Sequence, residues 1–382
     1  MQIFYFILFT LLSISFFSCN NEEQKTDKNT DNKQVEVFYD SSKVEYAEFF
    51  TLKYFKNYKI IQLNNSAKTT YLLYPKENKE PKTSGDTICI PIPVRDVVCL
   101  STTHVAFMEA IQEIDKIIGV ADVKKINSQL IRERINKKYV QNIGIDEQLN
   151  VEKILKLQPR VLFTYDIGTG YTGLIHTLEK AGVKVVYVGE YKENTPLAKC
   201  EWIKFIAAFF NKELMANEMF LKSSIKYLEL KDEVKNINNK PKILVNTPWK
   251  GTWYSPGGNS YIAKYINDAG GDYLFKNDTA KLSIAMSIEE VVYKGKNADI
   301  WINAGGFKTL NEIKESDNRL SLMKAFNNKT VYNNNKIVSV GGGSDFWESG
   351  TVFPEKILSD LINIFHPNVS IDTNLYYYHK LQ

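Results

Sequence analysis

The sequence predicts an α/β protein of two lobes, and three observations predict it. From Ile88 to Val188, short β-like apolar runs alternate with segments of helical apolar spacing. The same alternation resumes at Lys242 and runs to Ile364. Between them, Leu197 to about Asn236 contains no Gly or Pro and repeats apolar residues every three or four positions. That middle stretch predicts a single long helix joining the lobes, with two ordinary packed helices as the alternative and Asn211 and Asn217 as candidate breaks. A continuous helix over 212–236 would measure roughly 37 Å at 1.5 Å per residue.

Taken in order, residues 1–18 are an apolar run too short for a comfortable membrane span, and they fit a secretory signal. Ser18-Cys19 resembles a bacterial lipobox, which makes Cys19 the expected lipidation site, although no basic residue precedes it. Residues 19–43 begin as a polar Asn/Glu/Gln/Lys tract that cannot offset its ordering entropy and read as a flexible lipidated tether. Residues 44–87 carry two β-like runs, Tyr58–Leu63 and Thr69–Tyr74, and predict an N-terminal β-hairpin extension.

The first lobe is expected over 88–198. Its strands are Ile88–Ile92, Val97–Leu100, Arg160–Tyr165 and Lys184–Val188. Its helices are Thr103–Ile114, a helix capped by Asn150 that runs to Leu157, and Gly173–Ala181. The connecting helix region spans 199–241. The second lobe is expected over 242–367. Its strands are Ile243–Asn246, Asp299–Asn303 and Lys336–Val340. One helix starts at Asn259 or Ser260 and stops at Gly270-Gly271, another is Ser287–Tyr293, and Pro354–Ile364 closes the lobe. Residues 368–382 read as a C-terminal tail.

Composition narrows the function. The chain is 44% hydrophobic and 24% charged, which is globular, and its 48 basic and 44 acidic residues leave a net charge of only +4. Such balance gives no footprint for nucleic acid, and none is expected as a partner. No Cys-x-x-Cys spacing suggests zinc or thiol redox chemistry. Outside the signal, Cys89, Cys99 and Cys200 read as buried thiols, with a Cys89–Cys99 bridge left open.

The halves share a weak repeat. Leu149-Asn150-Val151-Glu152-Lys153-Ile154-Leu155 parallels Met286-Ser287-Ile288-Glu289-Glu290-Val291-Val292, and each precedes a strand. Glu152 and Glu289 both fall in a first helical turn, where the dipole favours a carboxylate. The repeat by itself fits either ordinary helix-start acids or two matched acidic knobs, one per lobe.

With these features in order, the chain resembles the substrate-binding lipoproteins of ATP-binding-cassette (ABC) importers for iron chelates, haem and cobalamin. The resemblance runs from about Ile88 to Pro367. It rests on Val98-Cys99-Leu100-Ser101-Thr102-Thr103-His104, on Asn150–Leu162, and on Leu178-Glu179-Lys180-Ala181-Gly182-Val183. The long helix, Ser255-Pro256-Gly257-Gly258-Asn259-Ser260, Ala269-Gly270-Gly271 and Ser287–Val291 complete it. It implies two Rossmann-like lobes with a metal chelate between them. It also implies docking of Glu152 and Glu289 onto the permease of a permease–ATPase importer, and a monomer lipid-anchored in the cell envelope. The extension 44–87 is longer than the start usual in that family.

A different motif competes. Gly168-Thr169-Gly170-Tyr171-Thr172-Gly173 follows a strand and opens a helix, and Glu190 follows the next strand. That is the context of a dinucleotide fingerprint, so the alternative is a secreted NAD- or FAD-binding oxidoreductase. Against it, the motif does not follow the lobe's first strand, and no acid–base pair accompanies it. Gly341-Gly342-Gly343 lacks a phosphate-loop Lys and reads as a sharp turn or as backbone approaching a ligand.

Ligands of α/β lobes meet the loops at the carboxyl ends of strands. In the first lobe those loops supply Thr103, His104, Tyr165, Asp166 and Tyr171 as candidate ligand contacts. In the second they supply Trp249, Trp253, Tyr254, Phe346 and Trp347. The aromatics suit a large planar or partly apolar ligand. His104 is either a ligand to a metal carried in the chelate or a packed side chain at a helix start. No protein-held metal, no cofactor and no catalysis are expected, because no nucleophile has an identifiable base beside it. The chain has five Arg, none in these loops. Their absence tilts the ligand toward a corrinoid or a neutral chelate over a highly anionic one.

Overall fold

The computed structural model describes residues 43–382 except 66–67, 84, 146–147, 166–168 and 370–373, and for 169–172 the backbone alone. The signal, most of the tether, Cys19, Asp166, Gly168 and the Tyr171 side chain therefore lie outside the described residues.

The first lobe is built on five parallel strands: β5 (Val97–Cys99), β6 (Ile117–Val120), β7 (Gln141–Asn142), β8 (Val161–Thr164) and β9 (Val185–Tyr187). Their order is β7-β6-β5-β8-β9, so the strand order reverses between β5 and β8. Four helices belong to this lobe: α1 (Thr102–Ala110), α2 (Gln129–Asn136), α3 (Val151–Leu157) and α4 (Thr169–Lys180). Strand periodicity sorts the core. Val97, Cys99, Val161 and Phe163 face a cluster with α1, while Val98, Leu162 and Val185 face one with α3 and α4.

Helix α5 (Pro196–Ala208) is buried along nearly its whole length, and α6 (Glu213–Val234) follows it. The chain turns between them at Asn211, whose φ is +56°. The single bridge is thus a pair of helices: α5 belongs to the first lobe's core, and α6 packs on α5 and on the last helix of the second lobe.

That second lobe has the sheet order β13-β10-β15-β16-β17, from β10 (Lys242–Val245), β13 (Asp272–Tyr273), β15 (Ile300–Ile302), β16 (Val331–Asn333) and β17 (His379–Lys380). All pair in parallel except β17. Its helices are α7 (Tyr261–Asp268), α8 (Ile288–Gly295), α9 (Leu310–Ser316), α10 (Lys324–Asn327) and α11 (Pro354–Phe365). A separate antiparallel sheet joins β11 (Pro248–Trp249), β12 (Thr252–Pro256) and β14 (Ser283–Met286).

Three expectations need correction here. First, the extension is a four-stranded sheet, β1 (Phe50–Phe55), β2 (Tyr58–Leu63), β3 (Thr70–Pro75) and β4 (Ile88–Ile92). β4, expected in the first lobe, pairs in parallel with β3 instead. One face of this sheet lies on α5, where Phe50 and Tyr71 meet Trp202, Phe205 and Phe209. Second, Lys336–Val340 is not a sheet strand, since Val331–Asn333 takes that place. Third, the last residues are no loose tail. The Asp360 carboxylate accepts the main-chain N–H groups of Tyr376, Tyr377 and Tyr378, and β17 completes the sheet.

Caps agree with the local sequence. Asn150 accepts from the Lys153 N–H at 2.8 Å, and Ser260 and Ser287 cap α7 and α8. Residues 41–382 cluster as one compact unit. The three described cysteines are buried and unpaired, so Cys89 and Cys99 form no bridge. No helix among the described residues is long and apolar enough to cross a membrane.

Candidate ligand-binding cleft

A cavity of about 510 Å³ opens between the lobes. The first lobe lines it from the carboxyl ends of four parallel strands. Leu100–Thr103 follow β5, Ala121, Asp122 and Lys125 follow β6, Tyr165 follows β8, and Glu190 and Tyr191 follow β9. Lys199 projects from the first turns of α5. The second lobe contributes Tyr261 and Tyr265 from α7, then Phe346, Trp347 and Thr351.

The lobes meet at one rim through backbone. The Gly341 N–H donates to the Lys124 carbonyl at 2.8 Å, and Asn127 Nδ2 donates to the Gly343 carbonyl. A Cβ on Gly343 would lie 2.1 Å from the Lys125 oxygen, so only glycine permits this approach. The Gly341–Gly343 run thus approaches another backbone. Beside it, the buried Glu348 carboxylate accepts the N–H groups of Asn127 and Ser128 at 2.7 and 2.8 Å. Burial outweighs these donors and pushes its carboxyl up to about 7.

Of the expected contacts, Thr103, Tyr165, Phe346 and Trp347 line the cavity, with Trp347 46% exposed. His104 does not. Position 104 faces inward on α1, where the ring meets Phe163 edge-on and is fully buried. Burial pushes its pKa down to about 3, so it is a neutral core side chain. Trp253 is also core, against Trp301 and donating Nε1–H to the Val245 carbonyl. Trp249 and Tyr254 stand exposed on the small antiparallel sheet and are not among the cavity's lining residues. That loop after β10 folded into a sheet of its own, which sequence spacing did not signal. The loop after β15 also stays out, held by Asn333 Nδ2 on the Gly305 and Phe307 carbonyls.

Sequence reasoning missed Tyr191, Lys199, Tyr261 and Tyr265 as lining residues and placed Glu190 only in the dinucleotide motif. Tyr261 and Tyr265 lie on one face of α7, and helical spacing does not distinguish a face packed in the core from one lining a cavity. Among the described residues no group of three or more His, Cys, Asp or Glu converges as a metal site. The dinucleotide reading fails on geometry. Its motif follows β8 rather than β5, and a Cβ on Gly173 would meet open space, whereas the third glycine of a fingerprint secures close helix–strand packing. Glu152 is exposed in the first turn of α3, and Glu289 is exposed in that of α8, where Arg319 pairs with it.

Comparison with known proteins supports this architecture. An uncharacterized lipoprotein of Methanocaldococcus jannaschii is 29% identical over 94% of this chain and 92% of its own length. A second uncharacterized lipoprotein of that organism is 25% identical over 98% of each. Among solved structures, a periplasmic heme-binding protein from Pseudomonas aeruginosa matches 76% of this chain and 98% of its own, with TM-score 0.59 and 16% identity. A possible iron-binding, periplasmic solute-binding protein from Staphylococcus epidermidis matches 71% and 98%, with TM-score 0.56 and 17% identity. At such identities the structures speak for the fold. The periplasmic binding protein family model matches residues 97–338, from β5 of the first lobe through β16 of the second, and the chain therefore belongs to that family of solute-binding proteins, which are not enzymes.

Proposed function

We propose that this protein captures a metal chelate in the inter-lobe cleft and delivers it to the permease of an ABC importer. The chelate class is a ferric siderophore, haem or a cobalamin-type corrinoid. One observation carries the reading: a cavity of about 510 Å³ faced by both lobes and walled by Tyr165, Tyr191, Tyr261, Tyr265, Phe346 and Trp347. That volume lies in the range of small-molecule sites, and its aromatic walls suit a macrocycle or chelate by stacking and area burial. Thr103 supplies a hydroxyl at the wall. Asp166 and Tyr171 remain proposed contacts. Cys19 is the proposed lipid anchor, which holds the protein at the envelope while the tether lets it work in water. Glu152 and Glu289 are the proposed permease contacts.

Tryptophan-fluorescence titration against cobalamin, haem, catecholate and hydroxamate complexes tests the reading. One class should bind reversibly and quench Trp347, and Trp347→Phe should remove most of the change. Turnover of any member, or no binding by any of them, would overturn it.

A further inference from the structure

The floor of the cleft holds a carboxylate that the chain itself leaves half used. Glu190 is 4% exposed and lines the cavity from the turn after β9. Its Oε1 accepts the Thr103 hydroxyl at 2.7 Å. Its Oε2 is enclosed and has no hydrogen-bond partner. A buried acceptor without a donor is costly, and natural proteins keep few of them without a use. The terminal carboxyl torsion is broad, so the carboxylate can tilt to offer that oxygen to the cavity while Thr103 holds the other.

Its neighbours define what that oxygen can meet. Lys199 Nζ donates to the Glu190 main-chain carbonyl at 3.2 Å and sits 4.6 Å from the centre of the Tyr261 ring. An ammonium has three donors, so at least one remains for a ligand. A ligand carboxylate entering here would face the Glu190 charge. A ligand ammonium would face Lys199. A neutral group with a donor and an acceptor side by side satisfies both, and a primary carboxamide is such a group.

We propose that Glu190 and Lys199, with Thr103 orienting the carboxylate, form a clamp for a neutral carboxamide of the bound solute. The Glu190 carboxylate takes the amide N–H, and the Lys199 ammonium donates to the amide oxygen. Burial raises the Glu190 pKa and lowers that of Lys199, and each group's charge counters the shift of the other. The clamp selects amide-bearing solutes over those ending in free carboxylates. It rests on the solute-binding reading of the cleft.

The test titrates the full chain with three probes: a corrinoid carrying peripheral carboxamides, the same corrinoid with those amides hydrolysed to carboxylates, and haem. The wild type should bind the amide form at least tenfold tighter than the carboxylate form. Glu190→Gln keeps the shape and can still bond Thr103, but it replaces the charged acceptor with an amide. It should weaken amide-corrinoid binding about tenfold or more, as expected for a hydrogen bond to a charged group. Lys199→Gln should likewise weaken binding of the amide corrinoid. Thermal unfolding of both variants, unchanged from wild type, separates lost recognition from lost fold. If the amide corrinoid binds in the cleft and Glu190→Gln leaves its affinity intact, or if haem or the carboxylate corrinoid binds the wild type at least as tightly as the amide form, the clamp is wrong and the cleft reading stands. If no probe binds the wild type, both fall.

Discussion

Glu348 shows how one side chain ties the lobes together at an electrostatic cost. Its carboxyl is pushed up to about 7 from an ordinary value near 4.5, first by burial and then by the Asp345 charge, against the N–H donors of Asn127 and Ser128. Between those values the folded protein holds a proton that the unfolded chain releases, so this group's contribution to stability falls as pH rises from about 4.5 to 7. Its ceiling is on the order of 3 kcal/mol, from 1.36 kcal/mol per pKa unit. His104, pushed down to about 3, acts with the opposite sign between about 3 and 6.5. The diagnostic is therefore the difference between wild type and Glu348→Gln in denaturant melts at several pH values. The wild type should lose ground to the variant across pH 4.5–7. A difference that stays flat or grows in the wild type's favour would refute this assignment.

At the scale of elements, the extension sheet is held by buried acids on the first lobe. Glu201 accepts the N–H groups of Glu45, Tyr46 and Ala47 at 2.9, 2.6 and 2.8 Å, and Glu193 accepts those of Glu48 and Phe49. Lys204 bonds both Glu201 and the Lys43 carbonyl. These contacts steer the chain from residue 43 into β1, which lies over α5. Glu201→Ala would leave three donors and one ammonium short of a partner. These bonds are only part-buried and water can reach some of the donors, so the variant should lose about 1–3 kcal/mol. Proteolysis should then begin within 43–49. Wild-type stability and protease resistance in Glu201→Ala would show that the extension is held by its apolar face alone.

For the molecule as a whole, the proposed division of labour puts solute in the cleft and the permease on exposed acids. Glu152→Lys and Glu289→Lys should each reduce uptake in cells carrying the permease, with solute affinity unchanged, because neither residue lines the cavity. The Glu289–Arg319 pair is exposed and screened by solvent, so breaking it should leave the fold intact. Solute affinity that collapses, or uptake that stays normal, would count against docking by these residues.

Much of this design is written locally. Period-2 and period-3.6 apolar patterns, the Asn150, Ser260 and Ser287 caps, and the Gly/Pro-free stretch before β10 all report backbone conformation within a few residues, so the elements and the α/β class were legible. Thr103, Tyr165, Phe346 and Trp347 were legible as well, because a loop at a strand's carboxyl end is a position in sequence as much as in space. What only the tertiary structure decided is which partner each element finds. β4 chose β3 over β5, the run after β10 folded into its own sheet and carried Trp249 and Tyr254 away from the cavity, and His104 and Trp253 turned into the core. Pairing and burial depend on contacts between residues far apart in the chain, and the meeting of Glu190 and Lys199 with the Tyr261 ring of the other lobe has no signature in local spacing.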